Sequence, residues 1–286
     1  MLRIIYNAAT WIWYRLLRMP IRLKSIYDNQ VRRPKLLVVF LHGISATSAT
    51  WRTTFDELNR NPELADVRLV AFDLLWFGKS LKASWLDYDE LDYNRALDSS
   101  LRKLRVDCPV VLIGHSMGSL IAADYAVGYA KTIDLVKLIL VSPPLLMSSE
   151  LAKLPDRLYT KSYASLHKFA NEEPAADVIA KIVQRFSSFR GKYIKTVAFE
   201  KSMNNIILNS KNYQTFTRLR VPTVIIHGHF DPLVMKSNLK RAALHNSTYV
   251  KYTSAMGHHD ISIGKRAKIL KEVKQTIKEE SRHEVI

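Results

Sequence analysis

The chain has 286 residues, 48% of them hydrophobic, and carries 43 Lys/Arg against 26 Asp/Glu for a formal net charge of +17. This is a globular composition with few glycines and prolines, of a size that fits one large domain plus an insertion. A single cysteine, Cys108, excludes an internal disulfide. Standing before Pro109 at the start of an apolar run, it reads as a small buried residue rather than a reactive thiol, which fits a reducing compartment. No metal-ligand cluster and no nucleic-acid recognition motif is visible, so the basic excess points either to an anionic surface such as a membrane or to a generally basic background.

Residues 1–34 hold seven Lys/Arg and one acid. The apolar stretch Ile4–Tyr14, broken by Asn7 and Thr10, is shorter than the roughly 20 residues that a membrane span needs. Arg15 and Arg18 stand where a secretory cleavage site would follow. Trp11, Trp13 and Tyr14 together with Arg3, Arg15, Arg18, Arg22 and Lys24 suit an interfacial helix. Residues 1–27 are therefore a candidate contact with an anionic membrane surface. The competing readings are packing on the rest of the chain or on a second copy, and a signal-anchor.

Beyond the linker Gln30–Lys35, Leu36–Leu41 has the continuous apolar character of a strand buried on both faces. A His42-Gly43-Ile44 turn and a helix over about 49–59 follow. Val67–Phe72 is the next strand, and Asp73–Ser80 the loop after it, in which Asp73 reads as a loop-shaping residue. Leu91–Leu104 has helical periodicity. Pro109–Ile113 is a strand whose following helix runs to about residue 130, and Leu135–Val141 is another strand. From about Leu145 to Thr215 strand signals stop, while Val178, Ile179, Ile182, Val183 and Phe186 recur at helical spacing. Strands resume at Pro222–His227 and, weakly, at Thr248–Tyr252, and Ser262–Glu279 is a charged terminal helix. Strands alternating with helices predict a mostly parallel central sheet flanked by helices. The expected organisation is a basic amphipathic segment over 1–34, a core over 35–144 and 213–286, and a helical cap inserted at 145–212.

Gly114-His115-Ser116-Met117-Gly118 lies between the strand ending at Ile113 and a helix. A Gly-x-Ser-x-Gly pattern in that setting is the sequence form of a nucleophile elbow, whose turn is too tight for side chains two residues before and after the serine. With the His-Gly turn, the Asp-x-x-x-x-Gly-x-Ser loop, a late Asp and a final His, the chain from about 36 to 280 resembles the α/β-hydrolase superfamily, in particular its capped, esterase- and lipase-like members. The resemblance implies a catalytic triad in the order Ser116, Asp231, His258. His258 is selected because the family's histidine follows a glycine, with His259 as the competitor. It also implies an oxyanion hole formed by the backbone N–H groups of Ile44 and Met117, and a bracing role for His42. No acid follows Leu135–Val141, so the alternative acid position used by some members is empty. Trp76, Phe77, Leu145, Leu146 and Met147 are candidate pocket residues.

The function expected from these residues is hydrolysis of carboxylic esters through an acyl-serine, with no metal or organic cofactor and with lipid-derived or other apolar esters as substrates. Carbon–carbon bond hydrolysis, perhydrolysis and acyl transfer use the same triad, and a non-catalytic membrane-associated binding protein is the remaining alternative. The expected location is the cytoplasm or the inner face of its membrane, with a small-molecule ester and no nucleic acid as partner.

Overall fold

The computed structural model describes residues 2–105, 107–147, 196–209 and 211–283. The expected cap at 145–212 lies largely outside these. Its described end contributes helix Val197–Ser202, a π turn over Met203–Ile207 and the start of helix Asn212–Arg218.

The centre is a seven-stranded sheet formed by β1 (Lys24–Asp28), β2 (Leu36–Leu41), β3 (Val67–Asp73), β4 (Val110–His115), β5 (Leu135–Val141), β6 (Thr223–Gly228) and β7 (Val250–Ala255), in the order β1-β3-β2-β4-β5-β6-β7. β1 is antiparallel to β3, and every other pairing is parallel. Every residue of β2, β4 and β6 is buried, as expected of strands covered on both faces. Side chains alternate between two cores. Leu37, Val39 and Leu41 join one cluster; Leu36, Val38 and Phe40 join the other.

Among the described residues the helices, in chain order, are α1 (Leu2–Trp11), α2 (Arg52–Asn59), α3 (Glu90–Leu104), α4 (Met117–Gly128), α5 (Val197–Ser202), α6 (Asn212–Arg218), α7 (Lys236–His245) and α8 (Ile263–His283). α1 runs on into a π turn over Ile12–Leu16. The start of α3 is capped by Asp89, whose side chain accepts the Asp92 N–H at 2.9 Å. Among the described residues, no helix is long and apolar enough to cross a membrane.

β1 falls inside the segment read from sequence as amphipathic and outside the core. Lys-Ser-Ile-Tyr-Asp carries only a weak strand signal because an edge strand buries little. It is held instead by polar contacts, with the Arg68 guanidinium gripping the Asp28 carboxylate through Nε at 3.1 Å and Nη2 at 2.8 Å. Cys108 is half-buried, and burial pushes its thiol up to about 11.

The chain steps from β2 to β3 on one side and then returns to β4 on the other side of β2. Strand order therefore reverses between β2 and β4, and open α/β sheets bind ligands outside the carboxyl ends of their strands at such a point. His42 follows β2 and Ser116 follows β4.

Phe40 is fully buried against Trp51, with ring centroids 5.2 Å apart, and Phe55. Phe40→Ala is expected to lower the unfolding free energy by about 3–5 kcal/mol, read by urea titration. A loss below about 1 kcal/mol would contradict this packing.

Candidate active site

The elbow forms as its glycines dictate. A Cβ on Gly114 would lie 2.3 Å from the Gly118 carbonyl oxygen, and one on Gly118 would lie 2.5 Å from that of Leu41. Ser116 sits between them at φ 52° and ψ −121°, a conformation that costs a non-glycine residue about 1–3 kcal/mol. Tethers on both sides hold it there. The Ser116 N–H donates to the Val141 carbonyl at 2.8 Å, and the buried Ser119 hydroxyl reaches the carbonyls of Gly114 and Val141 at 2.8 and 3.0 Å.

The turn after β2 lies directly on the serine: a Cβ on Gly43 would come within 3.0 Å of the Ser116 Cβ. His42 fixes this turn through both ring nitrogens. Nε2 accepts the Leu74 N–H at 2.9 Å, so Nδ1 carries the proton and donates it to the Gly43 carbonyl at 2.7 Å. Burial drives the His42 ring down to about 4, against the Gly43 hydrogen bond and the Asp73 charge, and keeps it neutral for this role. The Gly43 carbonyl and the Ile44 N–H belong to one planar peptide and point in opposite directions, so holding the carbonyl also aims the N–H. The Met117 N–H is at the first position of α4, where a helix supplies no acceptor. Asp73 shapes its loop as read from sequence: one carboxylate oxygen accepts from the Ser48 N–H and hydroxyl, the other from the Lys79 N–H.

The structure corrects the choice of histidine. His259, not His258, faces Asp231: its Nδ1 lies 3.0 and 3.1 Å from the two carboxylate oxygens, and both side chains are buried. His258 is exposed and turns its Nδ1 toward the Phe230 carbonyl at 3.1 Å. Adjacent loop residues point to different sides, and the anchoring of this loop decides which one turns inward. The Gly257 carbonyl is taken by the Phe230 N–H at 3.0 Å, and the His259 carbonyl accepts from His115 Nε2 at 2.6 Å. The glycine rule is thus offset by one residue. The His259 ring lies 5.0 Å, centroid to centroid, from that of His115, the neighbour of Ser116. With Nδ1 on the carboxylate, Nε2 is left to accept a proton.

Lys265, on α8, is fully buried beneath this loop. Its Nζ donates to the carbonyls flanking His259, those of His258 at 2.6 Å and Asp260 at 2.7 Å, and to the Ser142 hydroxyl at 2.9 Å. Ser142 in turn hydrogen-bonds Asp231, so a serine occupies the position after β5 that lacks an acid. Burial alone would raise the Asp231 carboxyl. The His259 charge and hydrogen bond, with Ser142 and Lys265, outweigh it and hold the group well below the usual carboxylate range. Burial lowers Lys265 to about 8 against the pull of Asp231 and Asp260. His115 is driven well below its ordinary value by burial, then by His259 and Lys265, so it stays neutral with its proton on Nε2.

The sequence reading missed Lys265, Ser142, Ser119 and His115. Lys265 alone left a trace there, as a lysine four and eight residues before the buried Ile269 and Val273, on their face of α8. Of the candidate pocket residues, all five are buried. Phe77 meets the His42 ring edge-on at 5.7 Å and, with Trp76, Leu145 and Met147, belongs to the larger core cluster. Among the described residues, no group of His, Cys, Asp and Glu could hold a metal ion.

The family model described as "Alpha/beta hydrolase family" matches residues 38–256. Curated relatives include "Probable lysophospholipase BODYGUARD 4" of Arabidopsis thaliana, 33% identical over 136 residues, which are 47% of this chain and 31% of that protein. Another is "1-acylglycerol-3-phosphate O-acyltransferase ABHD5" of Rattus norvegicus, 32% identical over 113 residues, 38% of this chain and 30% of that one. The chain thus spans under a third of the length of either relative. Among solved structures, an esterase from Exiguobacterium antarcticum superposes with a TM-score of 0.63 at 18% identity, covering 91% of this chain and 100% of that one. MenH from S. aureus does so with a TM-score of 0.63 at 20% identity, covering 91% and 99%. These likenesses carry the fold alone.

The depressed Asp231 predicts an acid limit to stability. A carboxylate whose folded-state value is lowered contributes stability that is present above its unfolded value and is lost as the pH falls toward the folded one. The difference in unfolding free energy between wild type and Asp231→Asn is therefore expected to shrink as the pH falls below about 4. Urea titration across that range checks it, and a difference independent of pH would contradict the pairing.

Proposed function

Because the chain belongs to the alpha/beta hydrolase family, we propose that it is a serine hydrolase of carboxylic esters, with Ser116 as nucleophile, His259 as general base and Asp231 as its carboxylate partner. The observation that carries this reading is the buried Asp231–His259 pair set against the strained Ser116 elbow.

A serine hydroxyl is a weak nucleophile at neutral pH and needs a base. Nε2 of His259 takes its proton as Oγ attacks the acyl carbonyl, and Asp231 stabilises the imidazolium through Nδ1–H. The N–H groups of Ile44 and Met117 receive the developing oxyanion, each contributing about 3–4 kcal/mol in sites of this kind. The imidazolium then protonates the departing alkoxide and leaves an acyl-serine. Water deprotonated by His259 releases the acid and restores the hydroxyl.

Lipid-derived esters such as monoacylglycerols are the proposed substrate class. Apolar Trp76, Phe77, Leu145, Leu146 and Met147 would receive the acyl chain, and two relatives are named for chemistry on acylated lipids. The name of the second also supports acyl transfer, in which an alcohol replaces water at the acyl-serine.

A fluorophosphonate probe is expected to label Ser116. Turnover of p-nitrophenyl esters of graded chain length, and fatty-acid release from monoacylglycerol, are expected to fall by roughly 10³-fold or more in His259→Ala and by only a few-fold in His258→Ala. The reverse ranking, or an unlabelled Ser116 in folded protein, would overturn the reading. An added alcohol acceptor separates transfer from hydrolysis by product.

A further inference from the structure

The amino-terminal helix is amphipathic the wrong way round for a helix that only packs on its own domain. Its polar residues face the protein. The Tyr6 hydroxyl accepts the Lys82 N–H at 3.4 Å, the Asn7 side-chain oxygen accepts the Ser84 N–H at 3.0 Å, and the Thr10 hydroxyl accepts Trp85 Nε1–H at 3.0 Å. Tyr14 packs on Trp85 one turn further on, and Arg15 lies over the same ring at 5.4 Å. Residues 6, 7, 10 and 14 share one helical face. Away from that face stand Ile4, Ile5, Ile12 and Leu16, all exposed, and Leu2 and Trp13 are exposed beside them, with Leu2 at 84% and Ile4 at 74%. A contiguous apolar surface rimmed by polar residues marks a contact with something apolar.

The rim identifies its chemistry. Residues 1–27 contain five basic residues and no acidic one, and Arg3, Arg15, Arg18, Arg22 and Lys24 are all exposed. Across a shallow groove from α1, Lys79 and Lys82 add to Arg3 beside Trp76. A second copy would bring an equally basic surface against this one. An anionic bilayer offers both what the apolar stripe needs and what the cations need.

The start of α1 reaches the loop that follows β3. Trp76, under the Arg3 guanidinium at 5.7 Å, lies two residues after Leu74, whose N–H is held by His42 of the turn touching Ser116. We propose that the outward face of α1 and its π turn docks the protein on an anionic lipid surface. This goes beyond the hydrolase reading and does not depend on it.

The test is co-sedimentation of the full chain with phosphatidylcholine vesicles with and without phosphatidylglycerol, which reads binding without reading activity. Wild type is expected to bind the anionic vesicles and to lose binding as salt rises. Ile5→Ser/Ile12→Ser/Leu16→Ser is expected to weaken binding tenfold or more, with an unchanged melting temperature. Arg18→Glu/Arg22→Glu, which leaves the apolar stripe intact, is expected to weaken it roughly tenfold or more. Failure of wild type to bind anionic vesicles at low salt, equal binding to neutral vesicles, or binding unaltered in both variants would overturn the proposal. So would a wild-type dimer that the triple substitution converts to monomer, because a second copy would then cover the face.

Discussion

A carboxylate cannot remain charged in a protein interior unless something answers its charge, and the candidate active site is organised around meeting that requirement for Asp231. Its oxygens face His259 Nδ1 at 3.0 and 3.1 Å, the Leu233 N–H at 3.0 Å and the Ser142 hydroxyl. The partner histidine sits on a loop with no regular structure, so its orientation has to be imposed from outside. Lys265 imposes it by gripping the carbonyls on either side of His259, and His115 grips the carbonyl of His259 itself. The charged Lys265 thus serves as a buried structural donor whose hydrogens all have acceptors, and its chain of contacts through Ser142 returns to Asp231.

The same economy holds around Ser116. Strain at Ser116 is sustained because the elbow is closed by two glycines and tethered to β5, and because the turn after β2 presses against it. His42 links that turn to the loop after β3, and the loops after β6 and β7 supply Asp231 and His259. Six strand ends, those of β2 to β7, therefore contribute to the site on the carboxyl side of the sheet, and the rigid strands set where each functional side chain begins.

Much of this was legible in the amino-acid sequence because buried parallel strands and tight turns leave strong local signatures. Leu36–Leu41 is identical in extent to β2, and the glycines of 114–118 announce their turn through bulk that cannot be there. β1 was hidden because an edge strand held by an Arg–Asp fork has no hydrophobic pattern to show. The choice between His258 and His259 was hidden for another reason. It depends on tertiary hydrogen bonds from His115 and Lys265, which stand on β4 and α8. Lys265 itself looks like one more charge on a basic helix until its burial is known. The apolar residues of the first helix were legible, but their outward direction was not, because it is set by contacts with Ser84 and Trp85.

Proton NMR of the histidine ring N–H groups reads the pairing of Asp231 with His259 most directly. An imidazole Nδ1–H held against a buried carboxylate resonates far downfield and exchanges slowly, whereas one on an exposed ring does not. One such resonance is expected, lost in His259→Gln and in Asp231→Asn and retained in His258→Gln. A resonance that survives His259→Gln but disappears with His258→Gln would show that the other histidine partners Asp231 and would contradict the site described above.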